Sequence, residues 1–158
     1  MMKNVLFVCT GNICRSPMAE YMLRERLPEL AVYSAGLYAR SGACVDRLAA
    51  DVAWKSGLDI RAHRARNISG WMVLEADLVL TMNLAQTHAI AVKYPAFRHK
   101  FWRLGEYGNF DVPDPYQKGK EVFREALTLI TQGIDEWTAS FLSTDSHQPG
   151  VPKHAYAL

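Results

Sequence analysis

Residues 5–17 read VLFVCTGNICRSP, and this stretch decides the fold. It begins with a continuous apolar run, which is typical of a strand buried on both faces. The run stops at Thr10 and Gly11, and Pro17 suits the first position of a helix. The stretch therefore predicts a buried strand that passes through a tight loop into a helix, the first unit of an α/β domain.

The same alternation of apolar runs and helix-like segments continues to residue 142. We predict further strands at residues 30–33, 76–82 and 100–104, and helices at residues 17–27, 42–56, 84–93 and 121–142. The expected fold is a single three-layer α/β domain, with a four-stranded parallel twisted sheet and helices on both faces. We assign this domain to residues 1–142 and a flexible polar C-terminal tail to residues 143–158.

The composition excludes several classes of protein. The 158 residues carry a net charge of +2 without a basic stripe, so nucleic acid is not an expected partner. The first apolar run is too short for a secretory signal, and no later run approaches membrane-spanning length. Three cysteines do not suggest a disulfide framework, and no Cys or His residues have the spacing of a metal site. We therefore expect a cytoplasmic protein that needs no metal or cofactor and binds no membrane.

The loop between the first strand and the first helix carries residues suited to phosphate chemistry. Its backbone N–H groups and the helix start can surround a phosphate dianion. Gly11 and Asn12 tolerate the left-handed conformations that such a loop needs, and Arg15 offers a planar pair of donors to two phosphate oxygens. We expect Cys9, at the end of the strand, to point into the same concavity as a thiolate nucleophile.

Each of these residues alone has a simpler structural interpretation. A Cys at the end of a buried strand is often a small core residue, and an Arg near a helix start is often solvated. The spacing Cys9-x5-Arg15-Ser16 at a strand-to-helix turn favours the catalytic interpretation over both. Other common phosphate-binding motifs do not occur in the sequence.

The sequence resembles the low-molecular-weight protein tyrosine phosphatases over about residues 3–142. The resemblance rests on residues 8–17 with Ala19 and Glu20, and it extends through residues 34–36, 63–66, 76–82 and 112–116. Residues 112–118 look most like the bacterial branch of the family that is associated with exopolysaccharide and capsule synthesis.

The resemblance implies a function for the residues of the loop. Cys9 would be the nucleophile, Arg15 would hold the phosphoryl oxygens, and Asn12 would brace the loop. Ser16 would donate its hydroxyl to the Cys9 sulfur, and Cys14 would form a reversible disulfide with Cys9 under oxidation. The phosphate-binding set is then Thr10, Gly11, Asn12, Ile13, Cys14, Arg15 and Ser16.

A second catalytic group is predicted in a Pro-flanked loop far along the chain. The leaving phenolate needs a proton, and the match of residues 112–116 to the family's acid loop implies Asp114 as general acid and then general base. Asp111 is the competing candidate and ranks second. Tyr116 resembles the aromatic residue that stacks on the substrate ring in this family.

The facing wall of the pocket is predicted at residues 36–40, with Leu37 and Arg40 as substrate-binding residues. Arg40 departs from the family pattern, in which an apolar residue is common at this position. Its guanidinium would either favour acidic residues near the phosphotyrosine or simply be solvated, and the sequence favours neither. His63, Arg64 and Arg66 are predicted to brace the loop behind the site.

Together these residues predict a protein-tyrosine phosphatase with a phospho-cysteine intermediate. By resemblance, its partner would be a bacterial tyrosine kinase of polysaccharide synthesis, with inorganic phosphate as product and inhibitor. One alternative is an arsenate reductase, which needs further cysteines to relay a disulfide, whereas only Cys44 lies beyond the loop. The other is a phosphotyrosine-binding module without turnover, which would be favoured if a catalytic residue were missing.

Overall fold

Four parallel strands form one sheet in the order β2-β1-β3-β4. In this computed structural model, which describes residues 1–143, the strands are β1 (Asn4–Cys9), β2 (Ala31–Gly36), β3 (Leu78–Thr81) and β4 (Phe101–Arg103). The helices are α1 (Arg15–Arg26), α2 (Arg47–Lys55), α3 (Gly70–Glu75), α4 (Leu84–Lys93) and α5 (Lys120–Ser143), with a 3₁₀ helix (Pro95–Lys100) before β4. The predicted four-stranded parallel sheet is confirmed.

Strand β1 lies inside the sheet and is covered on both faces. Val5 and Phe7 pack on one side against α1, α2 and α5, while Leu6 and Val8 pack on the other side against α3 and α4. All four side chains are buried, which explains why the run is apolar without alternation. The predicted arrangement of helices on both faces is therefore confirmed, and the strands' carboxyl ends share one edge.

Two predicted helices begin at other residues than expected. Helix α1 starts at Arg15 rather than at residue 17, so Pro17 occupies its third position, where a missing N–H still costs nothing. Helix α2 starts at Arg47 rather than at residue 42, because the Asp46 carboxylate accepts hydrogen bonds from the N–H groups of Leu48 and Ala49 and caps the helix there.

Other boundaries differ by a few residues. Strand β2 continues to Gly36 rather than ending at residue 33, because residues 34–36 pair with the second half of β1. Strand β3 is shorter than predicted, and the sequence analysis missed both α3 and the 3₁₀ helix, whose short lengths leave little periodicity. The division into a domain of residues 1–142 and a flexible tail stays a prediction, since residues 144–158 lie outside the described part of the chain.

Helix α5 packs its apolar stripe against the sheet and approaches the end of β4 closely at Gly133. A Cβ atom on Gly133 would lie 2.7 Å from Cγ of Leu104 and 3.0 Å from the Leu104 carbonyl oxygen. The same carbonyl accepts a hydrogen bond of 2.9 Å from Nε1 of Trp137 one helical turn later. These contacts fix the chain at residue 104, where the loop of residues 105–119 begins.

We expect the variant Gly133→Ala to be destabilised by up to about 2 kcal/mol. Alanine would add about 1 kcal/mol of helix propensity, but the overlap with Leu104 costs about 1–3 kcal/mol and outweighs it. Urea denaturation followed by circular dichroism measures the free energy of unfolding. The control is Gly70→Ala, whose Cβ would meet nothing closer than 3.8 Å. A Gly133→Ala protein more stable than wild type would contradict this packing.

Candidate active site

A cleft of about 400 Å³ opens at the carboxyl ends of the strands. Its lining residues are Cys9, Thr10, Gly11, Asn12, Ile13, Cys14, Arg15, Tyr38, Arg40, Ala43, Asp114 and Tyr116. The loop of residues 9–16, hereafter the phosphate loop, forms the floor. Asp114 and Tyr116 come from the loop of residues 105–119, hereafter the acid loop. The structure thus brings together segments that are about a hundred residues apart in sequence.

Most of the predicted site residues line this cleft, but Ser16 and Leu37 do not. Ser16 is fully buried, with its hydroxyl against the Cys9 sulfur. Leu37 is half-buried against the apolar cluster on the α3 and α4 side of the sheet. Its neighbour Tyr38 lines the cleft instead, together with Ala43. The chain turns at residues 37–38, directly after β2 ends at Gly36, which places these two side chains in different surroundings.

The Cys9 sulfur lies between two hydrogen-bond donors. The Asn12 backbone N–H donates to Cys9 Sγ over 3.3 Å, and the Ser16 hydroxyl oxygen lies 2.9 Å from the same sulfur. Ser16 Oγ already accepts a hydrogen bond of 2.9 Å from Nδ2 of Asn12, so its own hydrogen can point toward the sulfur. Both contacts favour a negative charge on Cys9.

Asn12 holds the phosphate loop in its curved form. Its φ of 56° lies in the left-handed region, which Asn tolerates better than most residues. Its buried amide donates to the Ser16 and Ser34 hydroxyls, both over 2.9 Å. Its Oδ1 accepts from the Arg66 backbone N–H over 3.0 Å. Because a backbone N–H can only donate, this last bond fixes which end of the amide is oxygen.

The end of β2 packs directly beneath the phosphate loop at Gly36. A Cβ atom at this position would lie 2.6 Å from the Thr10 carbonyl oxygen and 3.2 Å from the Asn12 Cβ. The next N–H groups along the chain, of Leu37 and Tyr38, donate to the carbonyls of Cys9 and Thr10, both over 2.9 Å. Only glycine permits this approach, which fastens the loop backbone to the sheet.

A buried carboxylate and a buried histidine lie together behind the loop. The Glu20 carboxylate accepts a hydrogen bond from the Ser34 hydroxyl and lies 3.4 Å from Nδ1 of His63. The other ring nitrogen of His63 lies 3.1 Å from the carbonyl oxygen of Asn12. The imidazole ring of His63 therefore connects the Glu20 carboxylate to the backbone of the phosphate loop. This position agrees with the bracing function predicted for His63.

The pKa of Glu20 reflects this environment. Burial alone would raise the pKa of the carboxyl group, but the hydrogen bonds from His63 and Ser34 and the Arg24 charge outweigh burial. The pKa of Glu20 is consequently lowered from its ordinary value, and the group remains a carboxylate at neutral pH.

The two candidate acids of the acid loop have different surroundings. Asp111 accepts hydrogen bonds from Nη1 of Arg103 over 2.9 Å and from the Leu84 backbone N–H over 3.2 Å. It thereby joins the end of β4 to the start of α4 and does not line the cleft. Asp114 lines the cleft, and 51% of its side chain is exposed. The geometry therefore favours Asp114, as the sequence ranking did.

Arg15 connects the phosphate loop to the acid loop. Its buried guanidinium donates from Nη1 to the Val112 carbonyl over 3.0 Å, and its Nη2 lies 3.8 Å from Oδ2 of Asp114. The remaining N–H groups stay available to an anion in the cleft, which Arg15 lines. The residue that would bind the phosphoryl group thus also sets the position of the acid loop.

All three cysteines are free thiols, and they differ in environment. Burial raises the pKa of the Cys14 thiol far above its usual range, and the nearby Asp46 charge acts in the same direction. Cys14 therefore remains a protonated thiol and does not compete with Cys9 as a nucleophile. Cys44 is exposed and does not line the cleft.

The sequence analysis gave no function to several residues that support the site. Glu20 and Ser34 could have been identified from the sequence, because each is a polar residue at a position of its helix or strand whose side chain faces the protein interior. Gln86, by contrast, gives no signal of this kind. Its buried amide donates to the Thr10 hydroxyl over 3.1 Å and accepts from the Met82 N–H over 2.9 Å. Its partners lie on a strand end and a loop that only the fold brings together.

Within residues 1–143, no group of three or more His, Cys, Asp or Glu side chains is placed to hold a metal ion. In the same part of the chain, every helix is too short or too polar to cross a membrane.

Comparison with known proteins decides the family. Residues 4–147 match the family described as low molecular weight phosphotyrosine protein phosphatase. The chain belongs to this family. The low molecular weight phosphatase assignment made from the sequence is confirmed, and the chain is an enzyme, a protein-tyrosine phosphatase that hydrolyses phosphoric monoesters.

Relatives of this phosphatase cover most of its length. It is 47% identical over 137 residues to the probable low molecular weight protein-tyrosine-phosphatase EpsP of Ralstonia nicotianae (strain ATCC BAA-1114 / GMI1000), covering 87% of this chain and 94% of that protein. It is 40% identical over 138 residues to the low molecular weight protein-tyrosine-phosphatase Wzb of Escherichia coli (strain K12), covering 87% of this chain and 94% of that protein.

A solved structure of the same family has the same fold. Wzb of Vibrio vulnificus, in complex with benzylphosphonate, superposes with a TM-score of 0.85 at 33% identity, covering 88% of this chain and 99% of that one. The phosphatase is thus of the Wzb and EpsP type in both sequence and fold.

We expect Glu20→Gln to lower the free energy of unfolding by roughly 1–3 kcal/mol at pH 7, because a neutral amide replaces the buried carboxylate that binds Ser34, His63 and Arg24. The folded-state pKa of Glu20 lies below its ordinary value of 4.5, so its stabilisation is present above about pH 4.5. That stabilisation is lost as the pH falls through the folded-state pKa. The difference in free energy of unfolding between wild type and Glu20→Gln should therefore decrease as the pH falls below about 4.5.

Urea denaturation at pH 7 and at several values below pH 4.5 measures this difference. Glu25→Gln is the matched control, because it removes the same charge from an exposed position of α1. A difference in the free energy of unfolding that stays constant with pH would contradict the proposed contacts of the Glu20 carboxylate. An equal loss of stability in Glu25→Gln would contradict them as well.

Proposed function

We propose that this enzyme hydrolyses phosphotyrosine in proteins through a phospho-cysteine intermediate on Cys9. The observation that carries the proposal is the position of the Cys9 sulfur on the floor of the cleft, with the Asp114 carboxyl group in the same cleft. A nucleophile and a proton donor are thereby available to the two sides of one phosphorus–oxygen bond.

In the first step, the Cys9 thiolate attacks phosphorus as the bond to the tyrosine oxygen breaks. The Asn12 N–H and the Ser16 hydroxyl, both directed at Sγ, support the thiolate before the attack. The backbone N–H groups of the phosphate loop and the Arg15 guanidinium bind the phosphoryl oxygens. Asp114 gives its proton to the leaving phenolate oxygen.

In the second step, water hydrolyses the phospho-cysteine. Asp114, now a carboxylate, takes a proton from the attacking water, and the sulfur–phosphorus bond breaks. The Ser16 hydroxyl and the Asn12 N–H stabilise the departing thiolate with the same hydrogen bonds that they made before the reaction. Inorganic phosphate is released, and as an occupant of the same site it also acts as an inhibitor.

Cys14 protects the nucleophile in this proposal. A peroxide oxidises Cys9 to a sulfenic acid. The Cys14 sulfur then attacks the Cys9 sulfur and forms a disulfide, and the Cys14 proton leaves with the sulfenic oxygen as water. The high pKa of the Cys14 thiol, caused mainly by burial, keeps it unreactive in the resting enzyme. A cytoplasmic location belongs to the proposal, because turnover needs Cys9 reduced.

We further propose that the natural substrate is a bacterial tyrosine kinase of polysaccharide synthesis. The resemblance of residues 112–118 to the bacterial branch of the family supports this substrate. The complex of Vibrio vulnificus Wzb with benzylphosphonate supports a phosphorylated aromatic group in the cleft, because that molecule carries a phosphonate next to a phenyl ring.

We expect Cys9→Ser to abolish hydrolysis of p-nitrophenyl phosphate and phosphotyrosine peptides while it still binds phosphate. The serine hydroxyl is a much weaker nucleophile, but the donors around the cleft remain. The rate at which p-nitrophenol or inorganic phosphate is formed measures hydrolysis, and titration calorimetry with inorganic phosphate measures binding. Phosphoserine peptides are the specificity control. Cys44→Ser is the matched substitution and should retain activity, since Cys44 lies outside the cleft. Turnover by Cys9→Ser would refute the nucleophile assignment.

We expect Asp114→Asn to slow phosphotyrosine and phenyl phosphate by about 10²–10³-fold, and esters with good leaving groups much less. The proton matters most where the leaving oxygen is most basic, so the slope of log kcat/KM against leaving-group pKa should steepen. Asp111→Asn is the matched variant and should leave this slope unchanged, because Asp111 is bound to Arg103 and Leu84. An equal effect of Asp114→Asn on all esters would count against the acid function.

A further inference from the structure

Arg40 is a charged residue of the cleft that the chemistry does not use. Its side chain lines the cleft together with Tyr38 and Tyr116, and it is exposed. Across the part of the chain that the structure describes, no hydrogen bond or ion pair engages its guanidinium. A cation at the opening of an anion-binding cleft, without an internal partner, is available to a group on the substrate.

The backbone that carries Arg40 is held firmly in place. The N–H of Ala39 donates to Oδ1 of Asn67 over 2.7 Å, and the Arg40 carbonyl accepts from the Ala43 N–H over 3.0 Å. Gly42 permits the turn with a φ of 84°, and its N–H donates to the Ala65 carbonyl over 2.8 Å. Only the Arg40 side chain must be ordered on binding, which lowers the entropic cost of a contact there.

The surroundings of the cleft restrict what Arg40 can bind. Asp114 on the other loop has to carry a proton for the leaving oxygen, so that side of the cleft offers no positive charge to an acidic group of the substrate. Tyr38 and Tyr116, which are 82% and 48% exposed, offer aromatic surface to the substrate chain on either side of the phosphotyrosine ring. An acidic side chain of the substrate is therefore accommodated on the Arg40 side of the cleft.

We propose that Arg40 selects phosphotyrosine sites flanked by Asp or Glu in the protein substrate. This inference rests on the proposed function, since it names the substrate class of the same cleft. It resolves the alternative left open by the sequence in favour of substrate binding. The guanidinium would bind the carboxylate in the Michaelis complex and in the transition state alike, so KM should change more than kcat.

The test uses three phosphotyrosine peptides that differ only in the flanking residues, which are Asp, the isosteric Asn, or Lys. For wild type we expect kcat/KM to fall in the order Asp, Asn, Lys, with about three- to fivefold between Asp and Asn, as for a solvent-exposed ion pair. The difference should reside in KM and shrink in 0.5 M NaCl. In Arg40→Gln the preference should disappear, and in Arg40→Lys part of it should remain.

Arg98→Gln is the matched control, because it removes the same charge from an exposed position in the 3₁₀ helix, which precedes β4. It should keep the wild-type preference. Equal kcat/KM values of wild type for the Asp and Asn peptides would overturn the proposal. A preference that persists in Arg40→Gln, or that disappears in Arg98→Gln, would overturn it as well.

Binding measured by fluorescence anisotropy in the Cys9→Ser background separates this proposal from the proposed function. The Kd ratio of the Asp and Asn peptides should match the kinetic preference and be lost when Arg40→Gln is added. If no phosphotyrosine peptide is hydrolysed by wild type, the proposed function fails. If the peptides are hydrolysed but the Kd ratio is unity, only the assignment of Arg40 fails.

Discussion

The side-chain amide of Asn12 connects the phosphate loop to three separate segments of the chain. It donates to Ser16 at the start of α1 and to Ser34 in β2, and it accepts from the Arg66 N–H. The loop needs a left-handed residue at this position, and Asn satisfies that need while it supplies the amide. The curvature of the loop and the support of the loop therefore depend on the same residue.

The directions of the hydrogen bonds explain how the Asn12 amide orients the Ser16 hydroxyl toward the Cys9 sulfur. The Glu20 carboxylate can only accept, so Ser34 donates to it and receives from Asn12. Ser16 also receives from Asn12, which leaves its hydroxyl hydrogen for Cys9. The Glu20 carboxylate behind the phosphate loop thus helps to orient the Ser16 hydroxyl toward the Cys9 sulfur, although Glu20 does not contact that sulfur. The cost of burying Glu20 is offset by His63 on its other side.

The acid loop has no helix or strand of its own, yet several polar contacts fix its course. Arg103 holds Asn109 and Asp111 over 2.8 and 2.9 Å, and the Val112 N–H donates to the Met82 carbonyl over 2.8 Å. Beyond Val112, the side chains of Asp114 and Tyr116 line the cleft. The proposed acid has to be accessible to the leaving oxygen of the substrate. Asp114 lines the cleft, whereas Asp111 is bound to Arg103 and to the Leu84 N–H and holds the acid loop in place.

The parts of this protein that sequence predicted well are those set by local patterns. Helix α4 lies at residues 84–93 as expected, because Asn83 and Pro95 mark its two ends. The start of α2 and the end of β2 could not be predicted from apolar periodicity, since one depends on the Asp46 cap and the other on a buried Ser34.

The remaining features could not be predicted from the sequence because they depend on partners from distant segments of the chain. Gln86 and Arg103 look like ordinary polar residues until the fold places Thr10 and Asp111 beside them. Sequence reasoning could nominate Cys9, Arg15 and Asp114, which line the same cleft, because the proposed chemistry needs specific residue types and, for Cys9 and Arg15, a fixed spacing. In the proposed mechanism the phosphate loop serves the phosphoryl group, which every substrate carries. Discrimination among substrates then has to use other side chains that line the cleft. Arg40 is such a residue, because no hydrogen bond or ion pair within residues 1–143 engages its guanidinium.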